Sequence, residues 1–263
     1  MAPAAVGGGG ARLRRAGAAA GQGPEVEPTE HNRRAWDEIH RRRTEAMRGQ
    51  LGLPAEVRSS LGDLKGRRVL HLQCATGEST IELAELGALV TGVDISAEAL
   101  DVARSRNDTI LWVQADVQAL PAQFRRERYD LVYTEHGVLT WLQDLDRWAG
   151  AIESALRPGG DFLLFEEHPV AVCIDSLGRW REDYFDSSIE VSVGWQHFDL
   201  PGEPAREETH ERFWRLGQVV TTLARAGLRV KALEEYPARR DDFRRLDPRI
   251  PGRFLLHAQK PRE

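Results

Sequence analysis

The chain has 263 residues, 41% of them hydrophobic, which is enough for one α/β domain with its own core. The formal net charge is −5, so we expect no broad positive surface and no nucleic-acid partner. No run of about 18 apolar residues occurs, so no membrane-spanning helix is predicted. The two cysteines, Cys74 and Cys173, lie far apart without CxxC spacing, which is typical of buried thiols in a reducing, cytoplasmic setting.

The N-terminal part of the chain divides into a tail and a helical segment. Residues 1–28 are rich in Gly, Ala and Pro and have no periodic apolar face, so we expect a disordered tail. Residues 30–47 have helical periodicity, and a second short helix is predicted over residues 55–61. These helices form a predicted N-terminal lid over residues 29–62, ahead of one α/β domain over residues 63–263.

Strands and helices alternate through the first half of that domain. The predicted strands are residues 67–73, 89–94, 110–114, 129–134 and 161–166, and the predicted helices are residues 79–86, 97–104 and 145–156. Such alternation requires parallel pairing. After a helix over residues 216–226, strands 228–234 and 254–259 are near neighbours and predict an antiparallel hairpin. The fold class is therefore α/β, with a doubly wound, mostly parallel, seven-stranded Rossmann-like sheet whose last strand is antiparallel.

An aromatic-rich cap is predicted at about residues 170–215, where the alternation stops. Residues 189–193 and 209–213 alternate like two strands. We expect this insertion to cover the carboxyl edge of the sheet and to act as a substrate lid, with Tyr184, Trp195 and Trp214 stacking on a flat or cationic acceptor. The same aromatic residues could equally pack a small hairpin.

The loop after the first predicted strand, Gln73-Cys74-Ala75-Thr76-Gly77-Glu78, is the first candidate binding element. A dinucleotide pyrophosphate needs several glycines and bare helix N–H groups. This loop has one glycine, and Glu78 already places a carboxylate at the positive end of the following helix. A phosphate there would be repelled. S-adenosylmethionine (SAM) carries a sulfonium cation and no phosphate, so the loop favours SAM over NAD.

Acids follow the next two predicted strands. Asp94, followed by Ile95, can accept hydrogen bonds from both ribose hydroxyls of either ligand. Asp116 can accept from an adenine amino group, while Val117 donates its backbone N–H to the ring. Taken singly, Asp94 could be part of a helix cap and Asp116 a turn residue. Their joint spacing favours an adenosine site without phosphates.

These segments resemble the class I SAM-dependent methyltransferase family, most closely over residues 67–160 and more loosely to residue 259. The matching stretches are VLHLQCATGESTIELAELGALVTGVDIS, QADVQALP, YDLVYTEHGVLTWL and ALRPGGDFLLFEEHP. The usual first motif of the family is acid-x-Gly-x-Gly-x-Gly. Here His71, Gln73 and Ala75 replace the acid and two glycines, and Gly77 remains, so we interpret it as a variant LHLQC-x-x-G motif.

The resemblance implies roles for individual residues around SAM, with S-adenosylhomocysteine as the product. Gln73, Ala75 and Gly77 would line the cofactor, Asp94 would hold its ribose, and Asp116 and Val117 its adenine. Glu135 would lie on the sulfonium side. The N-terminal helix would fold over the cofactor with Trp36 facing it. The place after the fourth strand reads Thr-Glu-His-Gly and lacks the Asn/Asp-Pro-Pro motif of base-methylating enzymes, which agrees with a small-molecule substrate.

Two histidines at strand ends are candidate general bases, His168 first and His136 second. Each could instead be a structural histidine in a loop. Glu167, beside His168, is a candidate substrate contact. A metal bound by Glu166, Glu167 and His168 would lack further ligands that the sequence can place, so we expect no metal site. His197 and His210 are left without a role.

The sequence thus predicts a SAM-dependent methyltransferase whose acceptor atom is O, N, S or C. One alternative is a SAM-binding scaffold or an enzyme of this fold that does not methylate. A third hypothesis is an NAD-dependent oxidoreductase. The oligomeric state has no sequence signature.

Overall fold

The computed structural model describes residues 26–43, 52–175, 177–194, 205–239 and 247–262. Almost all of the predicted tail, the C-terminal end of the predicted lid helix, and Trp195 and His197 in the cap lie outside these ranges. None of the helices within these ranges has the length and apolar character needed to cross a membrane.

One mixed sheet organises the domain. Its strands are β1 (Arg68–Leu72), β2 (Leu89–Asp94), β3 (Leu111–Gln114), β4 (Tyr129–Glu135), β5 (Leu156–Glu167), β8 (Arg229–Pro237) and β9 (Pro251–Gln259). The order is β3-β2-β1-β4-β5-β9-β8, and β9 is antiparallel to both of its neighbours. The predicted seven-stranded doubly wound sheet with an antiparallel last strand is confirmed. The parallel strands β1 and β4 are neighbours at the point where the strand order switches: β2 and β3 lie on one side of them and β5 on the other. Ligands bind at such a switch point in folds of this kind.

Helices cover both faces of this sheet. They are α1 (Pro28–Arg42), α2 (Ala55–Ser60), α3 (Glu78–Glu85), α4 (Ala97–Arg106), α5 (Leu145–Ala155), α6 (Pro169–Val172) and α7 (Leu216–Arg225). Two of them begin at side-chain caps that the sequence displays: Ser96 Oγ accepts from Ala99 N–H before α4, and Asp144 from Arg147 N–H before α5. Short 3-10 turns over Val117–Ala119 and Leu139–Trp141 follow β3 and β4.

The core consists of two apolar layers, one on each side of the sheet. Trp148 of α5 packs edge-on against Phe162 of β5 in the larger layer, and both are fully buried. On the other face, Leu83 of α3 and Phe165 of β5 belong to a second buried cluster. Because both faces of the central strands are covered, successive residues of β1, β2 and β4 are almost all buried instead of alternating between buried and exposed.

The fifth strand begins earlier than predicted. Residues 157–160, which lie between the predicted helix and the strand predicted from residue 161, are already part of β5. This strand starts at Leu156, and its register with β4 shifts between Tyr129 and Leu131. Gly160 permits this irregularity, because a Cβ there would approach the carbonyl oxygens of Arg157 and Tyr129 to 2.9 Å.

The cap contains a separate two-stranded sheet. Strands β6 (Ile189–Val193) and β7 (Glu208–Arg212) pair antiparallel, close to the predicted ranges. Helix α1 packs on β7: Asn32 Nδ2 donates to the carbonyl of His210 at 2.8 Å, and His210 N–H donates to Asn32 Oδ1 at 2.7 Å. The N-terminal helix and the cap therefore form one cover.

Candidate functional site

A cavity lies at the carboxyl ends of the central strands, beneath α1. Its walls are formed by the residues after β1, β2, β3 and β4 and by one face of α1. The lining residues are Thr29, Asn32, Trp36, His40, Gln73, Ala75, Asp94, Ile95, Ala115, Asp116, Val117, Gln118, His136, Gly137, Val138, Trp141 and Leu142. The four residues from α1 are spaced three or four apart, so they share one helix face.

The loop after β1 keeps a glycine-type backbone although it has one glycine. Gln73, Ala75 and Gly77 have φ angles of +53°, +46° and +83°, all in the left-handed region. This conformation costs a non-glycine residue about 1–2 kcal/mol. The backbone thus has a conformation that favours glycine at all three positions where the family motif has glycines. Gln73 and Ala75 are strained in this conformation, and such strain is found at binding sites.

The Gln73 side chain ties this loop to the loop after β4. Its Nε2 donates to the carbonyl of Val138 at 3.0 Å, and its Oε1 accepts from Thr134 Oγ1 at 3.4 Å. A glycine cannot make these contacts. Gln73 therefore acts as a cross-link between two walls of the cavity as well as a lining residue.

Asp94 holds the loop after β1 against the end of β2. Its Oδ2 accepts from Ala75 N–H at 2.8 Å and its Oδ1 from Ser96 N–H at 2.9 Å. Burial raises the pKa of Asp94 to about 6, although these amides oppose the shift. The carboxylate borders the cavity with Ile95, and each oxygen retains a lone pair for a further donor.

Asp116 and Val117 border the same cavity at the end of β3. Asp116 Oδ1 accepts from Gln118 N–H at 2.8 Å and caps the 3-10 turn. The turn-cap interpretation of Asp116 is correct, and it is compatible with a second hydrogen bond to a ligand. Val117 is the first residue of the turn, a position whose amide has no partner within the turn.

The N-terminus of α3 is occupied by a carboxylate. Glu78 accepts from Thr76 Oγ1 at 2.7 Å and forms an ion pair with Arg106 of α4. No lysine or arginine is found among the described residues that line the cavity, which contains two carboxylates instead. The site therefore offers no cationic group to a pyrophosphate.

Glu135 lies outside the lining of the cavity. Its carboxylate accepts from the Tyr133 hydroxyl, on the face of the sheet covered by α3. Burial raises the pKa of Glu135 to about 7. His71, at the position of the family acid, is on the same face: its Nδ1 is 2.7 Å from Thr80 Oγ1, and burial lowers its pKa to about 3. The neutral His71 stands where the family has a charge.

His136 borders the cavity and His168 does not. Desolvation at the cavity wall, with Arg253 nearby, lowers the pKa of His136 to about 4, although its side chain is still 36% exposed. His168 is 4% exposed, its Nδ1 accepts from Val170 N–H at 3.2 Å, and its Nε2 is 2.9 Å from Glu235 Oε1. These contacts match the structural interpretation of His168, which caps α6.

Glu166 is a positioning residue that the sequence did not reveal. It is 4% exposed, and its two oxygens accept from the amides of Gly137 at 2.8 Å, Val138 at 2.7 Å, Leu139 at 3.1 Å and Glu167 at 2.6 Å. Three of these amides belong to the loop that lines the cavity. No local pattern distinguishes Glu166 from Glu167, because only the pairing of β4 with β5 brings it to that loop.

Helix α1 is fastened over the cavity by polar contacts. Trp36 packs edge-on against Trp141 at 5.1 Å between ring centroids. Asp37 Oδ1 accepts from Ser96 Oγ at 2.8 Å beside the end of β2, and Asp37 Oδ2 accepts from Arg33 at 2.7 Å. Trp36 thus lies in the cover, where the resemblance places it. Asp37 connects that cover to the floor of the cavity, which is formed by the residues after β1, β2, β3 and β4.

The candidate substrate residues do not line this cavity. Tyr184 and Trp214 border a separate open depression of about 690 Å³. Trp214 Nε1 donates to the Leu142 carbonyl at 2.9 Å, and Arg212 lies over its ring at 4.5 Å. Glu167 is exposed at the end of β5. Trp195 is outside the described residues.

The residues that form the cavity floor lie within a stretch that matches known sequences. Residues 69–160 match the family described as "Methyltransferase domain". An uncharacterized methyltransferase of Synechocystis sp. is 35% identical over 105 residues, which cover 39% of this chain and 48% of the relative. The chain thus spans about half the length of this curated relative.

Solved structures share the fold over a larger part of the chain. A SAM-dependent methyltransferase of Mesorhizobium loti has a TM-score of 0.58 at 23% identity, with 78% of this chain and 96% of the other covered. A glycopeptide N-methyltransferase complexed with SAM has a TM-score of 0.55 at 22% identity, with coverage of 78% and 92%. At these identities the likeness establishes the architecture.

Proposed function

We propose that this chain, which carries a domain of the class I SAM-dependent methyltransferase family, transfers a methyl group from SAM to a small-molecule acceptor. One observation carries the proposal. Asp94 and Asp116, at the ends of neighbouring strands, border the same cavity as the left-handed loop after β1, and no described lysine or arginine lines it. That donor and acceptor set suits a cationic adenosyl ligand and disfavours a pyrophosphate.

Individual residues take distinct parts in holding the cofactor. Asp94 accepts from the ribose hydroxyls, and Asp116 with the Val117 amide contacts the adenine. Ala75 allows the backbone to approach the ligand, and Trp36 covers the ligand from α1. Gly77 was expected to line the cofactor but lies outside the cavity lining, where a Cβ would approach the Trp112 ring to 2.5 Å. When bound, SAM supplies an activated methyl group on a positively charged sulfur. The protein holds the acceptor in line with that methyl, and such positioning can contribute about 7–11 kcal/mol in favourable systems.

His136 is the side chain we assign to proton removal where the acceptor is a hydroxyl or a protonated amine. It borders the cavity, its side chain is 36% exposed, and its Nε2 lies 3.4 Å from Glu135 Oε2, a carboxylate that would stabilise the imidazolium formed on proton removal. A general base contributes about 10²–10⁴-fold. His168 is enclosed by Val170 and Glu235 and has a structural role.

Calorimetry with S-adenosylhomocysteine, and with NADH as the competing ligand, tests the cofactor assignment. We expect micromolar binding of S-adenosylhomocysteine and none of NADH. Binding of NADH without S-adenosylhomocysteine would overturn the proposal. Transfer of label from methyl-tritiated SAM to a panel of small acceptors then tests catalysis, and SAM binding without transfer across the panel would favour the scaffold alternative.

The histidine roles are separated by paired variants once an acceptor is found. His136→Asn should lower the rate of methyl transfer by at least tenfold with little change in cofactor affinity. His168→Asn should lower the thermal midpoint and leave the rate of the folded protein within about twofold. A rate loss confined to His168→Asn would reverse the assignment.

A further inference from the structure

Three metal-ligating side chains converge where α1 meets the cap. His31 lies on α1, and Glu208 and His210 lie on β7, two positions apart and therefore on one face of that strand. One ligand atom from each residue lies within 4.8 Å of the others. The imidazole rings of His31 and His210 stack at 4.6 Å between centroids with an interplanar angle of 18°.

We propose that His31, Glu208 and His210 bind a divalent transition-metal ion of the zinc class, and that this ion fastens α1 to the β6–β7 sheet. Neither a role for His210 nor a metal site was predicted from the sequence. His31 on α1 is 177 residues from Glu208 and 179 residues from His210 along the chain. No spacing motif in the sequence could therefore reveal the three ligands together.

Two of the three distances between ligand atoms fit such an ion. In a tetrahedral zinc site with metal–ligand bonds of about 2.0–2.2 Å, neighbouring ligand atoms are roughly 3.3–3.6 Å apart. Here Glu208 Oε2 is 3.4 Å from His210 Nε2 and 3.7 Å from His31 Nδ1. Two imidazoles and a carboxylate are ligands that zinc accepts, and a water molecule would complete four-coordination.

The surroundings support a site that is accessible but held in place. The side chains of His31 and His210 are 21% and 13% exposed, and that of Glu208 is 44% exposed. The reciprocal hydrogen bonds between Asn32 and the backbone of His210 hold the two elements in register beside the ligands. Glu38 Oε2 also accepts from the amides of Arg206 and Glu207. Ordering contacts of this kind reduce the entropy lost on metal binding.

A metal at this position would act on the cover of the cofactor cavity. Asn32 borders that cavity next to His31 in the chain, so an ion that holds α1 on β7 favours the closed cover. Linkage requires that the ion and the adenosyl ligand then strengthen each other's binding by the same factor. The binding site itself does not depend on the proposed methyl transfer.

The full chain without a polyhistidine tag is used for the test. After removal of metals with a chelator, Zn²⁺ is titrated against a competing fluorescent indicator, and Co²⁺ is titrated with its visible absorption recorded. We expect one equivalent to bind with a dissociation constant below about 10 μM and Co²⁺ to give a tetrahedral spectrum. No binding below about 100 μM, or an octahedral Co²⁺ spectrum, would overturn the proposal.

Variants locate the ion. His31→Ala, His210→Ala and Glu208→Gln should each weaken Zn²⁺ at least tenfold, while Glu190→Gln on β6 and His257→Asn on β9 should leave the affinity within about twofold. If a histidine variant does not fold, Glu208→Gln decides, because that side chain is half-exposed. Unchanged affinity in Glu208→Gln would overturn the site. If the unaltered protein binds Zn²⁺ as expected but does not bind S-adenosylhomocysteine, that result counts against the proposed function and leaves the metal site standing.

Discussion

The floor of the cavity and its cover differ in the sequence range of the contacts that build them. In the floor, Asp94 accepts from the amide of Ala75, 19 residues away. In the cover, Asn32 bonds the backbone of His210, 178 residues away. The floor falls within residues 69–160, which match the family, and the cover lies outside them. The floor is thus specified by local strand and loop patterns, while the cover is the part of the site that can differ among proteins of this fold.

The largest effect is expected in the floor. Asp94→Ala removes the acceptor for the ribose hydroxyls, and hydrogen bonds to a charged group are worth about 1.5–3 kcal/mol each, so we expect S-adenosylhomocysteine to bind roughly 100-fold more weakly. Calorimetry measures the affinity, and urea unfolding of the free variant shows whether the fold is kept. Wild-type affinity in a folded Asp94→Ala protein would show that the cavity is not the cofactor site.

Two buried acids, Asp94 in the floor and Glu135 on the opposite face of the sheet, should make stability depend on pH. Burial raises the pKa of Glu135 from 4.5 to about 7 and that of Asp94 from 3.8 to about 6. The folded protein then binds protons more tightly than the unfolded chain, so the unfolding free energy should fall as pH rises from about 4 to 7. Glu135→Gln should remove about 1–3 kcal/mol of this decline. Urea unfolding at several pH values measures it, and an unchanged pH slope in the variant would contradict the prediction.

A matched pair of neighbours tests how the floor is positioned. Glu166→Gln weakens four amide contacts of a buried carboxylate, so we expect the unfolding free energy to fall by about 1.5–3 kcal/mol. Glu167→Gln changes an exposed side chain and should stay within about 0.5 kcal/mol. Urea denaturation gives both values. Equal effects of the two substitutions would mean that Glu166 does not hold the loop after β4.

The cover should contribute less to cofactor affinity than the floor. Trp36→Ala removes an aromatic ring that borders the cavity and packs on Trp141, so we expect about tenfold weaker S-adenosylhomocysteine binding, about 1.4 kcal/mol. Trp180→Ala, at a side chain that is 61% exposed in the cap, is the control and should leave the affinity unchanged. A loss as large as that of Asp94→Ala would remove the distinction between the two regions.

The smallest effect concerns backbone strain in the floor. Ala75→Gly relieves the left-handed φ of +46° but increases the entropy of the unfolded chain, so the net gain should be about 0.5 kcal/mol. Thermal unfolding of Ala75→Gly measures the gain, and Ala84→Gly in helix α3 should instead be destabilising by about 1 kcal/mol. A loss of stability in Ala75→Gly would show that the methyl group of Ala75 makes packing contacts that outweigh its strain.

The sequence by itself determined the sheet, the loop after β1 and the two acids at successive strand ends. Apolar runs, helix caps and turn residues act over a few positions, and parallel strands place all their carboxyl ends at one edge. Only the tertiary structure decided the rest. It separated His136 from His168, turned Glu135 to the other face of the sheet, gave Glu166 its four amides and brought His31 to Glu208 and His210. Those contacts join residues distant in the chain, and their geometry depends on how strands and helices pack, which no local pattern records.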